Sequence, residues 1–168
     1  MRRGYIVAVL VVLVAAGSAA AVPHGRVLVV EDAETGERYL QAPVDNGTVV
    51  ALEYTHSVEQ TRVYDEYTVR GDRLEMTRME FESTGWGLPT DVNVTRQNGT
   101  FVYDPPGVYE RVTVAPGAIA GHRLHVGPRT VDLVALSDER SVHVHLVRRS
   151  ALAAATDSLT THDRTAID

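Results

Sequence analysis

Three successive runs settle the architecture: Thr48-Val49-Val50-Ala51-Leu52-Glu53-Tyr54-Thr55-His56-Ser57-Val58, then Arg62-Val63-Tyr64-Asp65-Glu66-Tyr67-Thr68-Val69, then Arg73-Leu74-Glu75-Met76-Thr77-Arg78-Met79-Glu80-Phe81-Glu82-Ser83. Each is rich in Val, Thr, Tyr and Leu and alternates apolar with polar positions, the period of a half-buried strand. Short polar breaks separate them, and Arg70-Gly71-Asp72 is a turn signal. Consecutive strands joined this tightly pair antiparallel.

Alternation assigns faces. Val50, Leu52, Tyr54, His56 and Val58 form the apolar side of the first run, and Glu53, Thr55, Ser57 and Glu59 the other. His56 is therefore expected inward and Ser57 away from it, a poor geometry for a direct Ser57–His56 pair. In the second run Val63, Tyr67 and Val69 face in and Glu66 faces out, an assignment that a bulge in this run would reverse. In the third, Leu74 and Met76 are out of phase with Met79 and Phe81. One extra residue near Thr77-Arg78, a β-bulge, reconciles the halves and puts Ser83 on the inward side.

The same pattern continues outward. Strands are expected near 26–31, 38–42, 48–58, 62–69, 73–83, 92–96, 100–103, 109–114, 122–126, 130–136 and 142–147. The expected fold is all-β, a small antiparallel β-sandwich or barrel over 23–149. A polar, Ala-, Thr- and Asp-rich tail, 150–168, follows.

Arg2 and Arg3 precede an uncharged run over 5–22 that ends in small residues, so 1–22 reads as a signal peptide or an N-terminal membrane anchor. This makes the protein exported, either membrane-anchored or secreted outside the cytoplasmic membrane. Sequons at Asn46, Asn93 and Asn98 agree with export, and the Asn-Gly pairs at Asn46 and Asn98 are also hairpin turn signals. The 168 residues contain no cysteine, which excludes disulfides, thiolate metal sites and a cysteine nucleophile. Every basic residue is arginine, and the net charge of −6 argues against nucleic acid as a partner. The arginine-only, acidic composition is that of a GC-rich or salt-adapted source.

Chemistry concentrates in Tyr54-Thr55-His56-Ser57-Val58-Glu59, in Tyr64-Asp65-Glu66-Tyr67, and in Ser83-Thr84-Gly85-Trp86-Gly87-Leu88-Pro89. These blocks, in this order and spacing, resemble the domain of unknown function 1850 family, over about a quarter of the chain. Trp86 stands where that family carries a small residue. The resemblance implies a small exported or membrane-tethered protein, encoded beside tripartite ATP-independent periplasmic transporters. It implies no known activity. It makes His56, Ser57, Glu66, Ser83, Gly85 and Gly87 the candidate ligand-binding residues, with transporter subunits or a small organic anion as candidate partners.

The expected role is an extracytoplasmic accessory or binding module rather than an enzyme. One alternative is a hydrolase with His56 as general base, Glu66 orienting it, and Ser83 or a water as nucleophile. Another is a purely structural envelope domain in which the cluster closes the fold. No cofactor is called for. His143 and His145 share one strand face, but a surface role is expected rather than a metal site.

Overall fold

A computed structural model describes residues 23–83 and 94–150. The apolar run over 5–22, Gly85, Gly87, Asn93 and the tail from 151 onward lie outside the described residues. Residues 27–147 form one compact unit, which carries every site discussed below, while the outer ends of the first and last strands belong to a second. No helix among the described residues is long and apolar enough to cross a membrane.

Twelve strands are described. They are β1 (Pro23–Asp32), β2 (Arg38–Val44), β3 (Val49–Thr55), β4 (Arg62–Arg70), β5 (Arg73–Phe81), β6 (Thr95–Gln97), β7 (Thr100–Tyr103), β8 (Val108–Tyr109), β9 (Arg111–Val114), β10 (Arg123–Val126), β11 (Arg129–Asp132) and β12 (Val142–Ser150). Two sheets result: β2-β1-β12-β9, and the larger β11-β10-β3-β4-β5-β7-β6 with β8 on β5. The sheets pack face to face as a sandwich and do not close into a barrel. Leu28, Val30, Ala42, Val44, Val114, Val142 and Val144 of the small sheet meet Val50, Leu52, Tyr67, Val69, Leu74, Leu124 and Val126 of the large one. Burying each such side chain stabilises by about 1.5–3 kcal/mol. A second, smaller cluster, Val63 and Phe81 packed with Tyr54, Met79, Phe101 and Tyr103, fills the end of the large sheet.

The β-bulge is where the phase break placed it. Glu66 pairs with Arg78 but Tyr67 pairs with Met76, so Thr77 is the additional residue of β5. Its hydroxyl donates to Glu66 Oε1 at 3.2 Å and lies 3.3 Å from Thr68 Oγ1. The β6–β7 hairpin turns on Asn98-Gly99, both at positive φ (50° and 93°), the backbone that a tight two-residue hairpin requires.

Two expectations are corrected. The strand expected over 130–136 stops at Asp132, and a short helix α1 (Leu133–Ser137) follows. Asp132 Oδ1 accepts from the Val134 and Ala135 N–H groups at 2.9 and 3.1 Å, an N-cap that ends the strand. The first run also stops early, at Thr55. The His56 N–H donates to Thr61 O and the Gln60 N–H to His56 O, closing the β3–β4 turn. His56 therefore leaves the strand's alternation, and Val58, expected inward, is 58 % exposed.

The β1–β2 turn is held by Asp32, which is only 2 % exposed. Its Oδ1 accepts from the Thr35 and Glu34 N–H groups, and its Oδ2 from the Tyr39 hydroxyl at 2.8 Å. Arg140, 5.5 Å above the Tyr39 ring, adds an ion pair at 3.1 Å. The Thr35 N–H first, then the Tyr39 hydroxyl, hold the Asp32 carboxyl well below the usual carboxylate range. The folded chain therefore keeps this charge at pH values where the unfolded chain protonates. That contribution is complete above about pH 4 and is lost as pH falls below it. Asp32→Ala is expected to lower the thermal midpoint near pH 7 and to flatten the acid limb of stability. Unfolding midpoints measured down to about pH 3 check this, and an acid limb as steep as the parent's refutes it.

Candidate functional site

The end of the large sheet where β3 meets β4 gathers three chain segments into a rim. The first is the 56–60 turn. The His56 ring folds back over it, with Nδ1 accepting from the Glu59 N–H at 3.2 Å and the Val58 N–H at 3.4 Å. Gln60 closes the turn at φ 55°, its side-chain amide donating to Ser57 O at 2.6 Å. The second segment is Ser83, just past the end of β5, whose hydroxyl donates to Glu59 Oε2 at 2.7 Å. The third is the 117–121 turn between β9 and β10, closed by Gly121 N–H to Gly117 O. Its Ala120 O accepts from the Thr55 N–H at 2.8 Å, tying it to the strand that runs into His56.

His122 caps this third segment as His56 caps the first. Its Nδ1 accepts from the Gly117 N–H at 3.3 Å. Its ring stacks on Tyr54 with centroids 5.2 Å apart and planes 15° from parallel. Burial lowers its pKa below the ordinary imidazole value.

Beneath the rim lies Asp65, on the inward face of β4 between Val63 and Tyr67 and opposite Leu52 and Met79. It is 8 % exposed, and its Oδ1 is buried with no partner. Burial pushes its pKa up to about 6, against the Tyr54 hydroxyl, which binds the charged form. Burial, then the Asp65 charge, raises the Tyr54 phenol in turn. An acid whose pKa is raised toward neutrality by burial at the junction of two apolar clusters is a costly arrangement. Alternation in 62–69 already places Asp65 with Val63, Tyr67 and Val69; the inward set drawn from the sequence omitted it.

The candidate residues divide. His56, Ser57 and Ser83 belong to the rim, with Ser57 exposed and its carbonyl bound to Gln60. Ser83 meets Glu59. Glu66 is elsewhere: it lies four residues along β4 from Arg62, the partner of Thr55, about 13 Å away at ~3.3 Å per residue. There it faces outward with Thr77. The His56–Glu66–Ser83 arrangement needed by a hydrolase is not assembled. The outer face carries instead a charge network in which Arg62 bridges Glu53 at 3.2 Å and Glu80 at 3.3 Å, and Arg78 meets Glu80 at 2.7 Å.

His143 Nδ1 lies 3.0 Å from Thr113 Oγ1, and His145 Nε2 lies 3.1 Å from Glu31 Oε1, so the two imidazoles have separate partners. Among the described residues no three His, Asp or Glu side chains are placed to share a metal ion. Of the sequons, Asn46 and Asn98 are exposed, and Asn46 Oδ1 accepts from the Gly71 N–H at 2.9 Å.

The fold and rim define a class: an all-β, antiparallel sandwich whose β3–β4 end is a polar, imidazole-capped rim. The chain belongs to the family described as Domain of unknown function (DUF1850), whose model matches residues 50–133. That span runs from β3 through the first residue of α1 and contains every element of the rim. No curated protein and no solved structure matches the chain.

Proposed function

We propose that this protein is an extracytoplasmic accessory module that docks its rim onto a subunit of a membrane solute transporter. The observation that carries the reading is the pair of apolar side chains on the two rim turns. Val58 is 58 % exposed and Ile119 is 83 % exposed, and the Thr55–Ala120 hydrogen bond links their turns. Exposed apolar side chains framed by polar groups suit a protein partner. The Glu59 carboxylate beside Ser83 weighs against an organic anion at the same place. The apolar run at 5–22 and the exposed Asn46 and Asn98 sequons support a position outside the cytoplasm, and the gene neighbourhood that the family resemblance implies favours a transporter partner.

Crosslinking in intact membranes of the source cell tests this. The parent chain is expected to crosslink to a transporter subunit, and Val58→Asp or Ile119→Asp to reduce the yield about tenfold, since a desolvated charge in an apolar contact costs more than ~1.4 kcal/mol. Both positions are solvent-exposed, so the unfolding midpoint is expected to stay within about a degree of the parent's. No crosslinked transporter subunit, or a yield indifferent to both substitutions, overturns the reading.

A further inference from the structure

We propose that the rim is acid-sensitive: His56 and His122 cap its two turns through ring lone pairs that protonation removes, so acidification loosens the surface. This names the regulation of the docking face and rests on that reading for its biological meaning.

The geometry is the same in both turns. In each, an imidazole Nδ1 accepts main-chain N–H groups of its own turn: Val58 and Glu59 for His56, Gly117 for His122. A nitrogen can accept only while it is unprotonated, so both rings must carry their proton on Nε2 or be neutral at Nδ1. A protonated imidazole presents N–H at both positions, and Nδ1 then opposes the same backbone donors it had satisfied. Imidazole titrates at about 6.5 in isolation, within reach of an external compartment. Each bond is present while its ring is neutral and lost once Nδ1 is protonated; for His122 burial moves that loss below the ordinary imidazole value.

Among the described residues the charged groups around the two turns, exposed Glu82 apart, are already engaged. Within the 56–60 turn the titratable group is Glu59, engaged by Ser83, and at the adjoining end of β5 Glu80 is paired with Arg62 and Arg78 while Glu82 is exposed. The nearby cation Arg62 is taken by Glu53 and Glu80. His122 lies against Tyr54 of β3, whose hydroxyl is bound to Asp65 of β4. The carbonyl of His122 accepts from the Leu133 N–H, which anchors the residue to α1 while its ring is free to change state. The turns it and His56 cap are joined by the Thr55–Ala120 bond, so loosening one removes support from the other.

Hydrogen exchange on the full-length chain, expressed as protection factors between about pH 7.5 and pH 5, tests the proposal, with His56→Asn beside the parent. The Asn side-chain oxygen can accept the same N–H groups, as in an Asx turn, but does not titrate. Measured against Val50 and Val69, whose protection follows the global stability, the parent is expected to lose protection at Val58, Glu59 and Gly117 by about tenfold, the weight of one hydrogen bond. His56→Asn is expected to keep Val58 and Glu59 protected throughout. Protection that is flat with pH in the parent, or that falls equally in His56→Asn, overturns the proposal. The exchange readout needs no partner. If it responds as expected while no transporter subunit is crosslinked, the docking reading falls and the acid-sensitive caps stand. A flat response overturns the caps even where docking is found.

Discussion

Phe81→Ala, which truncates the largest fully buried side chain among the described residues, is expected to cost about 3–5 kcal/mol of stability. Phe81 is fully buried, stacks on Phe101 with centroids 5.6 Å apart and pairs across the sheet with Val63. Among the described residues the small cluster it anchors has one other fully buried member, Val63, so little buried side chain stands ready to fill the vacated volume. The effect reaches the rim, because Phe81 ends β5 two residues before Ser83, and Ser83 holds Glu59. Urea unfolding should show a midpoint shift of that size with an unchanged slope. Exchange protection should fall at the 56–60 turn more than at Val50 or Val126, which belong to the main core. A loss below about 1 kcal/mol would mean that the cluster closes over the gap, and would separate the rim from Phe81.

Asp65 governs the second large effect, and its sign is opposite to that of most acidic residues. Its folded pKa is about 6, against ~3.9 in an unfolded chain. Between those values the folded chain holds a proton that the unfolded chain has released, so stability falls as pH rises, levelling off above about 6. Two units at 1.36 kcal/mol each amount to roughly 3 kcal/mol. Asp65→Asn removes this titration. The stability of the variant relative to the parent is therefore expected to grow by roughly 3 kcal/mol from about pH 4 to about pH 8. Using the difference cancels the fixed packing cost of the amide and the acid-side contribution of Asp32, which both chains share. Denaturant unfolding at the two pH values, at constant salt, decides it. Parallel pH profiles for parent and variant would show that the carboxyl is charged in the fold.

Several features were legible because they are local. The alternation in 48–55, 62–69 and 100–103 needs only the two-residue period of a strand. The bulge at Thr77 was visible because Leu74 and Met76 disagree in phase with Met79 and Phe81, and only an inserted residue lets both halves bury their apolar side. The turn at Asn98-Gly99 follows from two residue types that tolerate positive φ. The family blocks around His56 and Ser83 contain both ends of the Ser83–Glu59 hydrogen bond.

Other features depended on partners distant in sequence. Nothing within 48–58 says that β3 stops at Thr55; the pairing of Thr55 with Arg62, and of the His56 N–H with Thr61 O, ends it there. Moving that boundary back by three residues, from Val58 to Thr55, turned His56 from a supposed core side chain into the cap of its own turn. The Ser83–Glu59 bond joins residues 24 positions apart, and the third segment of the rim, 117–121, carries no motif at all. Its place beside His56 comes from β10 pairing with β3.

Sequence alone thus determined the strand periods, the bulge, the turn chemistry and the sign of the surface charge, because each is a property of neighbouring residues and their allowed backbone angles. Tertiary structure alone decided that Asp65 is buried without a full set of partners, that the outward Glu66 lies four residues along β4 from the end that carries His56, and that two histidines 66 positions apart in the chain cap adjoining turns. Those facts are set by strand register and sheet order, in which a residue's neighbours are chosen by cross-strand hydrogen bonds rather than by the chain.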